Sequence, residues 1–286
     1  MVAKLLDGKT IAEKIVQQVK HELSLRKQSG LEQPQLAVIL VGNDEASKIY
    51  VKNKLIACEK VGIACKLLHL VSNISQSKLL NIIHGLNKDP NIHAILVQLP
   101  LPVTIDPEII FGNIDSQKDV DGFNPYNAGL LAHGWPNLQP CTPLGIMKLL
   151  KFTNVDLIGK RAVVVGASNI VGKPIALSLL NAGCTVTICN RHTIDLKSLI
   201  MQAEILISAV GIPKLIQGNW IKTGSIVIDV GINRVNNKLV GDIDFERAKQ
   251  RALWITKVPG GVGPMTIACL LENILLIQKQ YIDLGK

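Results

Sequence analysis

Short runs of consecutive apolar residues alternate along this chain with longer stretches whose apolar positions recur at helical spacing, the pattern of a parallel α/β architecture. In the first half it predicts a helix over residues 10–27, a strand at LAVILVG (36–42), a helix over 44–60, a strand at ACKLLHL (64–70), a helix over 75–87 and a strand at AILVQLP (94–100). In the second half the strands AVVVG, TVTIC, ILISAVG, IVIDVG and WITKVPG alternate with helical or turn-rich segments, and a last helix is expected over 264–281. Between the halves, DGFNPYNAGLLAHGWPNLQP is dense in Gly, Pro and Asn, the composition of a linker or of cleft-lining loops. The expectation is an α/β protein of two domains with a crevice between them. An N-terminal substrate domain spans 1–140, and a Rossmann-like doubly wound parallel sheet spans 141–286, its final helix (264–286) packing back on the first domain.

The most telling segment is RAVVVGASNIVGKPI, residues 161–175, a buried-type strand running into a glycine-punctuated turn and a helix start. Gly166 lets the backbone turn sharply, Ser168 offers a hydroxyl, and Gly172 lets a helix begin close to an anionic ligand. The fit to GxGxxG is partial: Ser168 replaces the middle glycine and the third falls one place late. A plain βα turn therefore remains open beside a phosphate site. The next strand, TVTIC, ends in Asn190-Arg191-His192-Thr193 without the acidic residue that would select a free ribose 2′-hydroxyl. Arg191 supplies a cationic fork suited to a 2′-phosphate, which favours NADP over NAD; the alternative is an arginine capping a surface strand.

Composition narrows the class. At 286 residues the chain has room for two domains, and 48% hydrophobic with only 3% aromatic residues argues against disorder and against base-stacking surfaces. The net charge of +9 is scattered rather than gathered into a tract, so anionic small molecules suit it better than nucleic acid. Six cysteines without CxxC spacing read as buried free thiols, the histidines show no metal-ligand spacing, and no apolar stretch reads as a signal peptide or membrane span. A cytoplasmic enzyme without a metal is expected.

The chemistry should lie in the first half, since a dinucleotide-binding half does not by itself provide a substrate pocket. In NDEASKIYVKNK, Asn43 or Asp44 can cap the helix. Tyr50 and Lys54, four residues apart, leave one helix face about 40° from each other, with Ser47 on the same side. Burial or a neighbouring cation would lower the lysine pKa toward proton transfer near neutrality. An amphipathic helix with an edge tyrosine and a solvated lysine is the plainer alternative. Gln98 ends an apolar strand where open α/β sheets bind ligands. Asp121, in DVDGFNP, either bonds the backbone of its Asp-Gly turn or faces the N–H groups of a heterocycle.

Together VGNDEASKIYVKNKLIACEKVGI, ILVQLPLP, DVDGFNPYNAG, PCTPLGIMKLL, GASNIVGKPIALSLL, IDVGINR and VPGGVGPMT closely resemble, in the same order and along nearly the whole chain, the bifunctional methylenetetrahydrofolate dehydrogenase/methenyltetrahydrofolate cyclohydrolase family (the FolD type). The resemblance implies NADP-dependent oxidation of 5,10-methylenetetrahydrofolate, hydrolysis of the methenyl product to 10-formyltetrahydrofolate, folates with or without a polyglutamate tail as substrates, and a homodimer. It makes Lys54 the central catalytic residue and has Tyr50 stack on or position the folate beside Ser47. Gln98 tunes the lysine, and Asp121 holds the pterin. Gly166, Ala167 and Ser168 border the cofactor diphosphate, Arg191 lies at the ribose phosphate and Ile232 beside the nicotinamide. Gly260, Gly261 and Gly263 let backbone approach folate and cofactor. One departure stands out: the family commonly has arginine where this chain has Ala167, which leaves more of the NADP preference to Arg191.

Other readings fit less well. The YxxxK pair of short-chain dehydrogenases follows the glycine loop, whereas Tyr50 and Lys54 precede it. A shikimate-dehydrogenase-like enzyme would leave VQLPLP, DVDGFNP and PGGVGPMT unaccounted for. A non-catalytic NADP-binding module is opposed by the intact set of Tyr50, Lys54, Gln98 and Asp121.

Overall fold

The computed structural model describes residues 2–236 and 238–282. In chain order the elements are β1 (Lys4–Leu6), α1 (Gly8–Gln28), β2 (Gln35–Val41), α2 (Glu45–Val61), β3 (Ala64–Leu70), α3 (Gln76–Lys88), β4 (Ala94–Val97), α4 (Pro107–Asn113), α5 (Pro125–Ala132) and α6 (Cys141–Phe152). There follow β5 (Arg161–Val165), α7 (Gly172–Asn181), β6 (Thr185–Cys189), α8 (Leu196–Gln202), β7 (Ile205–Ser208), β8 (Ile226–Asp229), β9 (Asn233–Val235), β10 (Lys238–Val240), α9 (Phe245–Ala248), β11 (Trp254–Thr256) and α10 (Val262–Ile277). The chain divides into two compact units, one of residues 1–13 and 140–266, the other of residues 14–139 and 267–286.

The second unit holds a three-stranded parallel sheet in the order β3-β2-β4. Its central strand, QLAVILV, is buried on both faces, hence its unbroken apolar run. Each fully buried Leu or Ile there stabilises the fold by about 1.5–3 kcal/mol. The edge strand β3 has only exposed and half-buried positions. Between them, α2 starts because the Asp44 carboxylate accepts from the Ser47 N–H, and stops at Gly62, whose left-handed backbone (φ 89°) ends the helix.

The first unit holds a six-stranded sheet, β1-β11-β8-β7-β5-β6, with every pairing parallel. Val163, Val165, Leu206, Val227 and Ile255 face one common core, while Val164, Ile207 and Ile228 are buried on the other side. The strand β1, the helices α4, α5 and α6 and the β9–β10 hairpin were not expected from the sequence pattern, and α7 begins two residues earlier than its proline suggests.

All six cysteines are free thiols; five are buried and Cys65 is half-buried. Residues 262–280 are long and apolar enough to cross a bilayer, but Met265, Cys269, Leu271 and Ile274 are fully buried within the structure. The Asn273 amide donates to the carbonyls of Val120 (2.8 Å) and Gln139 (2.9 Å). This is a core helix.

Candidate active site and nucleotide turn

In the unit that holds residues 14–139, Lys54, on α2, is only 9% exposed although its side chain ends in an ionisable amine, so the solvated-lysine alternative does not describe it. A lysine is buried at a cost unless its charge finds a polar partner. Here Nζ donates to Gln98 Oε1 at 3.1 Å, and among the described residues no carboxylate pairs with it. The orientation of the Gln98 amide follows from its neighbours: Nε2 donates to the Leu99 carbonyl at 2.7 Å, which leaves the oxygen for the lysine. Leu99 precedes Pro100 through a cis peptide bond.

Ser47 is buried about two turns before Lys54, its Oγ 2.7 Å from Asp44 Oδ1 and 3.2 Å from the Leu99 carbonyl. Its single hydroxyl proton serves one of these at a time. The cap of α2 and the loop after β4 are thus tied together, and with them the backbones that carry Lys54 and Gln98. Tyr50, 36% exposed, stands on α2 one turn before Lys54; burial of its phenol pushes the pKa above the usual tyrosine range and keeps it protonated.

Asp121 is half-buried, next to Gly122 in the left-handed conformation (φ 68°). Its segment lies beside β4 through the parallel bridge of Ile95 with Asp119. Asp121 therefore follows that bridge by two residues on one strand, as Gln98 follows it by three on the other. Two residues earlier, the buried Asp119 was missed in the sequence. Asp119 Oδ2 accepts from the Asn124 N–H (2.7 Å) and from Asn127 Nδ2 (2.9 Å), which shapes the loop. Burial first, with the charge of Asp121 adding to it, raises its carboxyl to about 6 against these hydrogen bonds. The available signal was the doubled aspartate of DVDG before an Asn-Pro helix start.

In the other unit the turn after β5 is built by absent side chains. Gly166 has φ 116°, and a Cβ on it would lie 2.3 Å from the Ala209 carbonyl oxygen; a Cβ on Gly172 would lie 2.0 Å from the Gly166 oxygen. The Ser168 hydroxyl accepts from the N–H groups of Val171 (3.2 Å) and Gly172 (3.3 Å) and so caps the entry to α7, with Ala167 half-buried before it. A close-packed turn at a helix start, with no Cβ in the way, fits a dinucleotide diphosphate. Arg191 is exposed after β6; its Nε lies 3.1 Å from His192 Nε2, in a loop closed by Asn190 and Thr193.

Ile232 is exposed, and its Cδ1 lies 3.7 Å from where a Cβ of Gly263 would be, so these two expected site residues meet. Gly260 (φ 104°) gives its carbonyl to the Lys9 N–H, and the Gly261 oxygen would lie 1.8 Å from a Cβ on Gly8. These glycines pack the N-terminus of α1 against the β11–α10 turn.

The tetrahydrofolate dehydrogenase/cyclohydrolase catalytic domain matches residues 6–121, and the NAD(P)-binding domain of the same family matches residues 140–282. A bifunctional FolD methylenetetrahydrofolate dehydrogenase/cyclohydrolase from Campylobacter jejuni is 50% identical over 97% of this chain and 99% of its own, with a TM-score of 0.94. The Trypanosoma brucei FolD, solved with NADP cofactor and an inhibitor, is 36% identical over 98% of each chain (TM-score 0.94). The bifunctional enzyme from Thermoplasma acidophilum is 38% identical over 96% of this chain and 98% of its own (TM-score 0.89). A shikimate dehydrogenase from Aquifex aeolicus, 13% identical with a TM-score of 0.51, shares the fold alone. With both of its domains matched in order, the chain belongs to the tetrahydrofolate dehydrogenase/cyclohydrolase family.

Proposed function

We propose that this chain oxidises 5,10-methylenetetrahydrofolate to the methenyl form with NADP⁺ and hydrolyses the product to 10-formyltetrahydrofolate, using Lys54 for the proton transfers of the second reaction. The observation that carries this reading is a buried lysine held by an amide, 3.1 Å from Gln98 Oε1, with no carboxylate paired to it among the described residues. The methenyl intermediate is a cation shared by two folate nitrogens. In its amine form Lys54 neither repels that cation nor lacks a lone pair for the proton released as water adds. Gln98, by accepting one N–H, sets the direction of the remaining positions on Nζ. Asp121 takes the pterin N–H groups, and Tyr50, protonated, packs on the folate beside Ser47.

NADP⁺ supplies the hydride acceptor. The chain's contribution there is placement: Gly166, Ala167 and Ser168 border the diphosphate, Arg191 pairs with the 2′-phosphate, and Ile232 lies at the nicotinamide end. Gly260, Gly261 and Gly263 belong to the substrate side of that arrangement. The preference for NADP over NAD rests on Arg191, on the missing acidic residue after β6, and on the NADP found in the trypanosomal relative. Residues 1–140 serve the folate, with the C-terminal stretch from 264 onward, and residues 141–286 serve the nucleotide. The working form is a cytoplasmic homodimer acting on folates with or without polyglutamate tails.

The test is to give purified protein 5,10-methylenetetrahydrofolate with either dinucleotide and to follow methenyl absorbance. A rise followed by decay, faster with NADP⁺, is the expected record. A rise without decay refutes the second activity, and no rise refutes the first.

A further inference from the structure

Two aspartates that the chemistry above does not use are buried together in the unit that holds the nucleotide turn: Asp229, 4% exposed, at the end of β8, and Asp242, fully buried, just after β10. Asp229 Oδ1 accepts from the N–H groups of Gly231 (3.0 Å) and Asp242 (2.9 Å), and its Oδ2 from Ile243 (3.0 Å). Asp242 Oδ2 accepts from the N–H groups of Val210 (2.8 Å) and Gly211 (3.3 Å) and from the Ser208 hydroxyl (3.2 Å), while Oδ1 accepts from Asn233 Nδ2 (2.9 Å). Each carboxylate thus holds backbone beyond its own, and the pair clasps both feet of the β9–β10 hairpin to the loop after β7.

Two glycines exist in service of this clasp. A Cβ on Gly231 would lie 2.1 Å from Asp242 Oδ1, and one on Gly241 would lie 1.9 Å from Asp229 Oδ2. Burying two neighbouring carboxylates is costly. Asp229 shows it, raised to about 7 by burial first and by the Asp242 charge as well, against its backbone hydrogen bonds. For mere anchoring of a hairpin, apolar residues of similar volume would serve as well or better. Hydrogen-bonded carboxylates do something apolar residues do not: they fix N–H directions, and hence backbone, along two loops at once.

What those loops carry gives the clasp its use. One contains Ile232, between Gly231 and Asn233; the other contains Ala209, whose carbonyl closes on Gly166. In the order β6-β5-β7-β8, Gly166 and Arg191 follow β5 and β6, on one side of the point where the strand order reverses. A dinucleotide spanning that point lays its other half over the ends of β7 and β8, where the clasp is.

We propose that Asp229 and Asp242 are positioning residues for the nicotinamide half of the dinucleotide, setting the backbone of 209–211 and 230–233 before the cofactor arrives. This rests on the assignment of Ile232 to the nicotinamide end. The variants Asp229→Asn and Asp242→Asn keep the volume and remove one acceptor atom each. Dissociation constants are measured for NADP⁺ and for adenosine 2′,5′-bisphosphate, which presents the adenosine half alone, together with amide hydrogen exchange at 210, 211, 242 and 243 in the protein without cofactor. NADP⁺ binding should weaken about tenfold with the fragment unaffected, and those amides should exchange faster. Equal weakening of both ligands, or none, overturns the proposal. Asn233→Ala removes only the side-chain bond to Asp242 and applies the same criterion with a smaller shift if the aspartate variants do not fold. Ile232→Ala separates the two ideas. If it leaves the ratio of the two affinities unchanged while the aspartate variants change it, the clasp acts through the backbone of 209–211 and 230–233 and the Ile232 side chain makes no contact that matters.

Discussion

The lysine site and the nucleotide turn solve opposite problems. Around Lys54 the chain puts long polar side chains into a buried place and must satisfy each of them, which it does through Gln98, Leu99, Ser47 and Asp44. Around Gly166 it removes side chains so that backbone can approach backbone and, by our reading, a diphosphate. The first site should therefore fail when a functional group is deleted, and the second when a single methyl is added.

The largest effect is expected from Lys54→Ala. Cyclohydrolase activity, followed as methenyl decay, should fall by about 10³-fold, with hydride transfer much less affected; a variant that still hydrolyses at the native rate removes Lys54 from the mechanism. Next comes Gly172→Ala, where the added methyl meets the Gly166 carbonyl oxygen. NADP⁺ affinity should drop by about 100-fold, whereas methenyltetrahydrofolate supplied directly should still be hydrolysed. Equal loss of both activities would erase the contrast drawn above. Arg191→Ala should raise the KM for NADP⁺ about tenfold more than that for NAD⁺, since only NADP⁺ offers a 2′-phosphate; an unchanged ratio sinks the assignment.

The smallest effect belongs to Asp119, where the lysine site's own loop holds a carboxyl raised from 3.8 to about 6 by burial. Between those pH values the native state binds more protons than the unfolded one, so this residue's contribution to stability falls as pH rises from about 4 to about 6 and then levels. The melting-temperature difference between native protein and Asp119→Asn should shift by a few degrees across that window. A difference independent of pH would place the Asp119 pKa elsewhere.

Much of this was legible in the sequence because the signals are local. Consecutive apolar residues marked β2, β4, β5, β7 and β8, since strands buried on both faces leave no polar alternation. The four-residue spacing of Tyr50 and Lys54 gave their shared helix face. Other features depend on distant partners and leave no local trace. Strand β1 has three residues with one buried, and only its pairing with Trp254–Thr256 makes it a strand. Helix α5 was hidden by the Pro and Asn that in fact start it, with Asn124 as cap and Pro125 in the first turn. Asp119 looks like a turn residue in sequence and Asp229 falls within a predicted strand; the burial of both, and of Asp242, follows from tertiary packing.

The pairing of Lys4 with Trp254 also bears on how the molecule comes into being. As the chain leaves the ribosome, Lys4–Leu6, which form the outer strand of the larger sheet, appear well ahead of Trp254–Thr256, the neighbour they need. That sheet cannot be completed during synthesis by its own stretch of chain, and closing so long a loop carries an entropic cost that no nearby contact offsets beforehand. Split at residue 139, the protein would yield two fragments each missing a piece carried by the other.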